Sequence, residues 1–201
     1  MREPTYIIGA GGHARVIASL IEPGENRFVT SAPATPEEMA LSLFLAEICR
    51  PDLRIFIGIG NNADRERIFD QIHKAGGKLA SCIAPNAFIA RDAILGEGVF
   101  VGAGALIGSR ARIGNNCIVN TLSGIDHDCV LGDHTQVAGG VNFAGTVTTG
   151  RSCFFGMGSM AVPGVRLGDK VTALAGTVIT RDFPDGVTVG GYPARVTRPS
   201  G

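Results

Sequence analysis

Tryptophan is missing from this chain, and so is any surplus of charge: 18 Lys and Arg stand against 18 Asp and Glu over 201 residues. No run of basic residues forms the footprint that a nucleic-acid strand or an anionic membrane surface needs, which argues against both as partners. No apolar stretch approaches bilayer-spanning length. The first apolar run, Tyr6-Ile7-Ile8, is too short for the core of a secretory signal and is broken by glycine. A reducing cytoplasm is therefore the expected compartment. The five cysteines (Cys49, Cys82, Cys117, Cys129, Cys153) include no C-x-x-C pair, which disfavours a zinc or redox motif, and their odd number argues against a disulfide scaffold. What the chain does have is glycine, 29 residues, recurring on a period rather than gathered in linkers, and that calls for a repeat.

The character of the sequence changes near Cys82. Before it, short apolar runs alternate with helix-like segments. Tyr6-Ile7-Ile8 reads as a buried strand, followed by a glycine loop, Gly9 to Ala14, that leads into a helix through Arg15–Ile21. Arg27-Phe28-Val29 is a second strand. Thr35-Pro36-Glu37-Glu38 reads as a helix start: a capping residue, Pro in the first turn, then acids near the positive end of the dipole. Residues 53–59 read as another buried strand. Asn62 then caps a helix with Ile68, Phe69 and Ile72 on one face, which Gly76-Gly77 ends. Alternating strands and helices imply a small parallel sheet. The expected boundaries are 1–82 for this domain and 83–201 for the rest.

From Ile83 onward every sixth residue is usually aliphatic, and the next is often Gly. The pattern runs through seventeen hexads to Ile179 without an insertion. The fifth residue of each hexad is small or β-branched almost throughout, as at Ala105, Ala111, Cys117, Ser123, Cys129 and Thr135. A coil of three short strands explains this: one aliphatic side chain per face points inward, a small residue fits the corner, and Gly permits the turn. Such hexapeptide repeats mean a parallel β-helix. Three hexads per coil give between five and six coils, so the prism is roughly 25–30 Å long at the inter-strand spacing. The cysteines at 117, 129 and 153 read as corner packing. The Gly/Pro-rich tail from Val189 to Arg195 is expected to cover the open end.

Three motifs could carry chemistry. Gly9-Ala10-Gly11-Gly12-His13-Ala14 is a G-x-G-x-x-A variant between strand and helix, suited to a diphosphate at the helix N-terminus. The acid that an NAD site wants after the second strand is replaced by Val29-Thr30-Ser31, so hydride chemistry is disfavoured. Ile57-Gly58-Ile59-Gly60-Asn61-Asn62 is the C-terminal end of another strand, again on the ligand-binding rim of such sheets. Asp126-His127-Asp128 places an imidazole on the outside of the prism between two carboxylates, which can orient it. His is the natural base near neutral pH. His127 and His134 would need a third histidine to make a metal site, and the repeat supplies none, so no metal is expected.

Together these pieces resemble the NeuD-like bacterial sugar acyltransferases, which include nucleotide-sugar 4-amino N-acetyltransferases and sialic acid O-acetyltransferases. The resemblance rests on the Gly9–His13 loop, the 57–62 segment, Asn120-Thr121, Ile125 to Cys129, the hexads, and Gly191-Tyr192-Pro193-Ala194-Arg195, and covers nearly the whole chain. It implies a Rossmann-like α/β domain followed by a left-handed parallel β-helix. It implies a homotrimer with acetyl-CoA as co-substrate in the cleft between neighbouring prisms. His127 matches the catalytic base and Asp128 the carboxylate that increases its basicity. Asn120, Gln136, Gly145, Met157 and Ala175 fall at acetyl-CoA-binding positions. Gly11, Gly12, His13, Gly60, Asn61 and Asn62 fall at the nucleotide-sugar positions. Thr30-Ser31-Ala32-Pro33 stands where relatives acting on uridine-linked sugars often carry acids. Gln136 stands where some carry a second outward histidine, a role that His134 could take in part. The implied activity is N-acetylation of a nucleotide-linked amino sugar; O-acetylation of a free sugar such as sialic acid and a non-catalytic trimeric scaffold are the rival readings.

Overall fold

A computed structural model describes residues 4–21, 26–36, 38–48 and 53–198. Cys49 and Glu37 lie outside them. The chain divides into two compact units, Met1–Cys82 and Ile83–Gly201. No described helix is long and apolar enough to cross a membrane.

The first unit is built on four parallel strands: β1 (Thr5–Ile8), β2 (Asn26–Thr30), β3 (Met39–Ala40) and β4 (Arg54–Ile57). Their order in the sheet is β3-β2-β1-β4. Between them run α1 (Gly12–Leu20) and α2 (Leu41–Glu47), and α3 (Asn62–Lys74) follows β4. The core gathers Ile8, Val29, Ile55 and Ile57 from the strands with Phe44, Ile68 and Ile72 from the helices. Strands buried on both faces explain the continuous apolar runs at 6–8 and 55–57.

Two local expectations are corrected. No helix starts at Thr35-Pro36. The Glu38 carboxylate turns back to accept from the Ala34 N–H at 2.9 Å, and Met39–Ala40 pairs beside Val29–Thr30 as an edge strand. The helix begins only at Leu41. The cap of α3 is Asn61, whose side chain accepts from the Asp64 N–H at 3.0 Å, with Asn62 as the first helical residue.

The second unit is a three-faced prism of seventeen two-residue strands, from Cys82–Ile83 to Val178–Ile179. Up to Met160–Ala161 each strand pairs in parallel with the one 18 residues on, so that Arg112 faces Val130, Ile118 faces Gln136 and Gly124 faces Asn142. From Phe88–Ile89 onward the second residue of each strand points inward: Ile107, Ile125, Phe143 and Ala161 stack on one face and are buried. Phe143 and Phe155 meet edge-on across the interior, centroids 4.8 Å apart. Small residues at the corners do more than fit. Cys117, Ser123, Cys129, Thr135 and Cys153 each donate to the carbonyl 15 residues on, in the next coil. Those bonds satisfy buried backbone acceptors and make the cysteines structural. Burial pushes the Cys129 and Cys153 thiols up to about 11.

The role assigned to the hexad glycine is also corrected. It is not the turn residue. Gly102 has no left-handed backbone, but a Cβ there would lie 2.6 Å from the Thr121 nitrogen of the next coil, so close approach demands glycine. The left-handed position comes two residues later, and eight non-glycine residues occupy it, among them Arg110, Asp128, His134 and Thr146. At the far end, Thr188–Gly190 and Arg195–Arg198 form an antiparallel pair, and Ala194 is buried against the prism core.

Candidate functional site

Two places concentrate chemistry, one in each unit.

In the α/β unit, the loops after β1 and β4 lie side by side at the C-terminal ends of neighbouring strands. Their glycines divide by job. Gly9 has a left-handed backbone and its absent side chain would meet the Gly58 carbonyl at 3.0 Å. Gly58 is required by packing, because a Cβ there would lie 2.5 Å from the Cα of Ala14 on α1. Gly11, Gly12 and Gly60 face open space, with nothing within 4 Å of a built Cβ. Their bare backbone is therefore not explained by packing. Gly11 caps α1 without any side-chain hydrogen bond, and no acid occupies the first turn. The positive end of that helix is thus left to whatever approaches it.

His13 and Arg65 sit beneath this rim. Arg65 is buried, 1% exposed. Its guanidinium donates to the Ile59 carbonyl at 3.4 Å, the Gly60 carbonyl at 3.2 Å and Asn62 Oδ1 at 2.8 Å. It thereby holds the 59–62 loop from below. Burial, and then the Arg65 charge, lower the His13 imidazole to about 4, so His13 is neutral near pH 7. The sequence reading missed Arg65. Its signal was its place one helical turn after Asn62, which brings both to the same side of α3.

In the prism, His127 occupies the corner that follows the Gly124–Ile125 strand. Its own N–H donates to Asp126 Oδ1 at 2.6 Å, fixing the turn. Its ring Nδ1 lies 2.8 Å from Asp128 Oδ2. An ionised carboxylate only accepts, so Nδ1 carries a proton, and in the neutral ring the lone pair is on Nε2. Among the described residues nothing engages Nε2. The ring rests on the bare α-carbon of Gly145, 18 residues on: a Cβ there would come within 2.5 Å of Cε1 and Nε2. Asp128 in turn accepts a two-pronged bond from Arg110, Nε to Oδ1 at 2.7 Å and Nη2 to Oδ2 at 2.9 Å. These bonds, Arg110 first and His127 second, hold the Asp128 carboxyl down at about 2. Arg110 was also missed, although it stands one 18-residue coil before Asp128 and the repeat made that contact computable.

The remaining candidates do not converge on His127 within one chain. Asn120, Met157 and Ala175 lie on the preceding corner, at the other edge of the face that carries Leu106, Gly124, Asn142 and Met160. Asn120 accepts from the Thr121 N–H at 2.8 Å; Met157 and Ala175 are exposed. Gln136 projects from the face before that, with Oε1 buried and no partner among the described residues. His134 is buried on a third corner, 2.8 Å from Asn116 Nδ2. The face between the His127 and Asn120 corners is apolar, with Phe88, Leu106 and Met160 exposed. It holds a groove of about 670 Å³ whose lining includes Asp126 and Ala144, which flank His127 and Gly145 in the chain. Among the described residues no group of three or more His, Cys, Asp or Glu is placed to hold a metal ion.

Comparison with known proteins bears on both units. The family model for the PglD N-terminal domain matches residues 5–72. PerB from Caulobacter crescentus, solved in complex with CoA and GDP-perosamine, is 32% identical over 97% of each chain, with a TM-score of 0.88. Variants of that perosamine N-acetyltransferase with one histidine changed to asparagine or alanine have also been solved. The acetyltransferase domain of PglB from Neisseria gonorrhoeae FA1090, in complex with acetyl coenzyme A, is 31% identical over 98% of this chain and 100% of that one, with a TM-score of 0.90. Curated relatives match only part of this chain, and it spans less than a third of the length of those named here. The UDP-3-O-acylglucosamine N-acyltransferase of Wolinella succinogenes is 35% identical over 37% of this chain, which spans 24% of that enzyme's length. The putative acetyltransferase YvoF of Bacillus subtilis is 40% identical over 26% of this chain and 30% of its own length. Whole-length identity to two solved acetyltransferases, joined to the α/β unit that a PglD-type model matches, places this chain in the NeuD-like family of bacterial sugar acyltransferases.

Proposed function

We propose that this chain transfers the acetyl group of acetyl-CoA to the amino group of a nucleotide-linked sugar of the 4-amino-4,6-dideoxy type, in the cytoplasm, for surface polysaccharide or glycan synthesis. The observation that carries the reading is the imidazole of His127, held by Asp128 through Nδ1 and laid on Gly145 with Nε2 unengaged. In this mechanism the sugar nitrogen attacks the thioester carbonyl while Nε2 takes its proton. The C–N bond forms, the C–S bond breaks, and the thiolate takes the proton back from the imidazolium. No acceptor among the described residues engages the Gly145 N–H, so it serves as the donor to the oxyanion, a contribution typically worth about 3 kcal/mol. Both substrates must meet one ring, so much of the rate comes from positioning.

The prism is read as a left-handed coil and as one third of a homotrimer. A threefold arrangement would bury the apolar face around Leu106 and Met160 and bring a neighbour's Asn120–Ala175 corner to His127. Acetyl-CoA would lie in that cleft, against Asn120, Gln136, Gly145, Met157 and Ala175. The α/β unit is read as the nucleotide-sugar seat, with Gly11, Gly12 and His13 on one wall and Gly60, Asn61 and Asn62 on the other. The open glycines support this, since a diphosphate needs bare backbone N–H groups.

The test is CoA-thiol release from acetyl-CoA with GDP-, UDP- and dTDP-linked 4-amino sugars and with free sialic acid. Turnover with one nucleotide-linked amino sugar is expected. Turnover with sialic acid alone would replace N- by O-acetylation, and no release with any acceptor would favour a binding scaffold. Light scattering in solution should return the mass of three chains.

A further inference from the structure

The corner that carries Asp128 is one rung of a column. Coils repeat every 18 residues, so positions 92, 110, 128 and 146 stack at about 4.8 Å per rung. Arg110, Asp128 and Thr146 share the same left-handed backbone, φ 56°, 59° and 63°, so their side chains leave the corner in the same direction. The column reads Asp92, Arg110, Asp128, Thr146. Charge alternates along its first three rungs, and Arg110 stands between two carboxylates.

Asp92 is anchored by the Ser109 hydroxyl at 2.8 Å, and its charge acts on Arg110. Ser109 also receives the Asp128 N–H on its carbonyl at 2.9 Å. Both the backbone and the carboxylate of Asp128 are therefore fixed from the coil below. The division of bonds on Asp128 is informative. Oδ1 serves Arg110 alone, whereas Oδ2 serves both Arg110 and His127. A carboxylate free to turn about its last torsion has a broad preference. A two-pronged guanidinium removes that freedom and sets the plane in which Oδ2 meets the imidazole. The Arg110 and Asp128 side chains are 67% and 30% exposed, and exposed ion pairs contribute little.

We infer that Arg110 is a positioning residue of the transfer reaction: acting through Asp128, it holds His127 in the tautomer and orientation that leave Nε2 bare above Gly145. This rests on the reading of His127 as the base. The alternative role for an exposed arginine at this corner is direct contact with a phosphate of CoA or of the sugar nucleotide.

The two roles separate in kinetics. With Arg110→Ala, positioning predicts a fall in kcat of roughly 10- to 100-fold, the scale of a displaced catalytic group, with both KM values and the melting temperature near wild type. Arg110→Lys, a point charge that cannot grip both oxygens, should recover only part of that loss. Added guanidinium ion should restore turnover in Arg110→Ala. In an Asp128→Ala background, removing Arg110 should cost almost nothing more, because the two act as one unit. Nitrogen-15 spectra of the protein should show His127 as the Nδ1–H tautomer in the wild type and a mixture in Arg110→Ala. A raised KM for acetyl-CoA or sugar nucleotide with unchanged kcat would overturn the inference in favour of phosphate binding. So would full additivity with Asp128→Ala. His127→Ala is run beside these variants. Should it turn over normally, the base reading itself falls; should it be inactive while Arg110→Ala matches wild type, only the role of Arg110 falls.

Discussion

Glycine serves the two units differently. In the α/β unit a pair of packing glycines, Gly9 and Gly58, lets two loops and α1 come together, while Gly11, Gly12 and Gly60 face open space. In the prism the same requirement recurs rung by rung, and Gly102, Gly108 and Gly114 all abut the backbone of the next coil. Gly145 stands one place later in its hexad, 18 residues after His127, and a Cβ there would meet the imidazole of His127. The packing position of that hexad is filled by Ala144, so Gly145 is a glycine the repeat does not require, and it forms the seat of the ring. The lesson concerns how each unit tolerates change. A repeat spreads its constraint evenly and exposes function as a deviation from the pattern. The α/β unit has no pattern to deviate from, and there open space around a glycine is what packing leaves unexplained.

Substitutions can break this comparison, and the largest effect is expected at the deviation. His127→Ala should lower kcat by more than about 100-fold, in line with general-base contributions, while calorimetry shows acetyl-CoA still bound. Gly145→Ala comes next. Its methyl group would occupy the space of the ring, so kcat should drop by roughly tenfold or more as the base is displaced, with circular dichroism and melting temperature close to wild type. A variant with normal turnover would remove Gly145 from the seat of the base.

In the α/β unit the contrast lies between two glycines of one loop. Gly58→Ala should destabilise that unit by roughly 1–3 kcal/mol, the cost of forcing a methyl group into a filled space, read from denaturant melts. Gly60→Ala should leave stability alone and raise KM for the sugar nucleotide. Equal effects on stability would erase the distinction.

The smallest effect concerns acid. His13 is lowered from 6.5 to about 4 in the fold, so the unfolded chain takes up a proton that the folded one refuses. The sign follows from linkage: the contribution to stability is intact above pH 6.5 and is lost as pH falls toward 4. Protection factors of the α1 amides, in which the intrinsic pH dependence of exchange is divided out, should fall over that window. His13→Gln should flatten the dependence; an unchanged slope would assign it to other groups.

The prism was legible because its physics is periodic. Once the hexads were aligned, inward residues, corner residues and every contact 18 residues apart followed by counting, including the unread one between Arg110 and Asp128. The His127 motif was legible because it breaks the hexad with a charged triplet. Less could be read where sequence neighbours compete for one role. Asn61 and Asn62 both can cap, and the choice fell to Asn61 because Asn62 is drawn into the helix to meet Arg65. Thr35-Pro36 carried helix-start chemistry, but Glu38 spends its carboxylate on the loop before it.

Sequence alone determined the three-faced coil, its inward column, and the outward histidine flanked by acids, since each depends only on local periodicity and residue size. Tertiary structure decided which glycine supports the imidazole, which arginine grips its carboxylate, and which buried arginine holds the 59–62 loop, and it buried His13 so that the ring stays neutral. Those are distances between side chains, and a one-dimensional pattern carries them only where the backbone repeats.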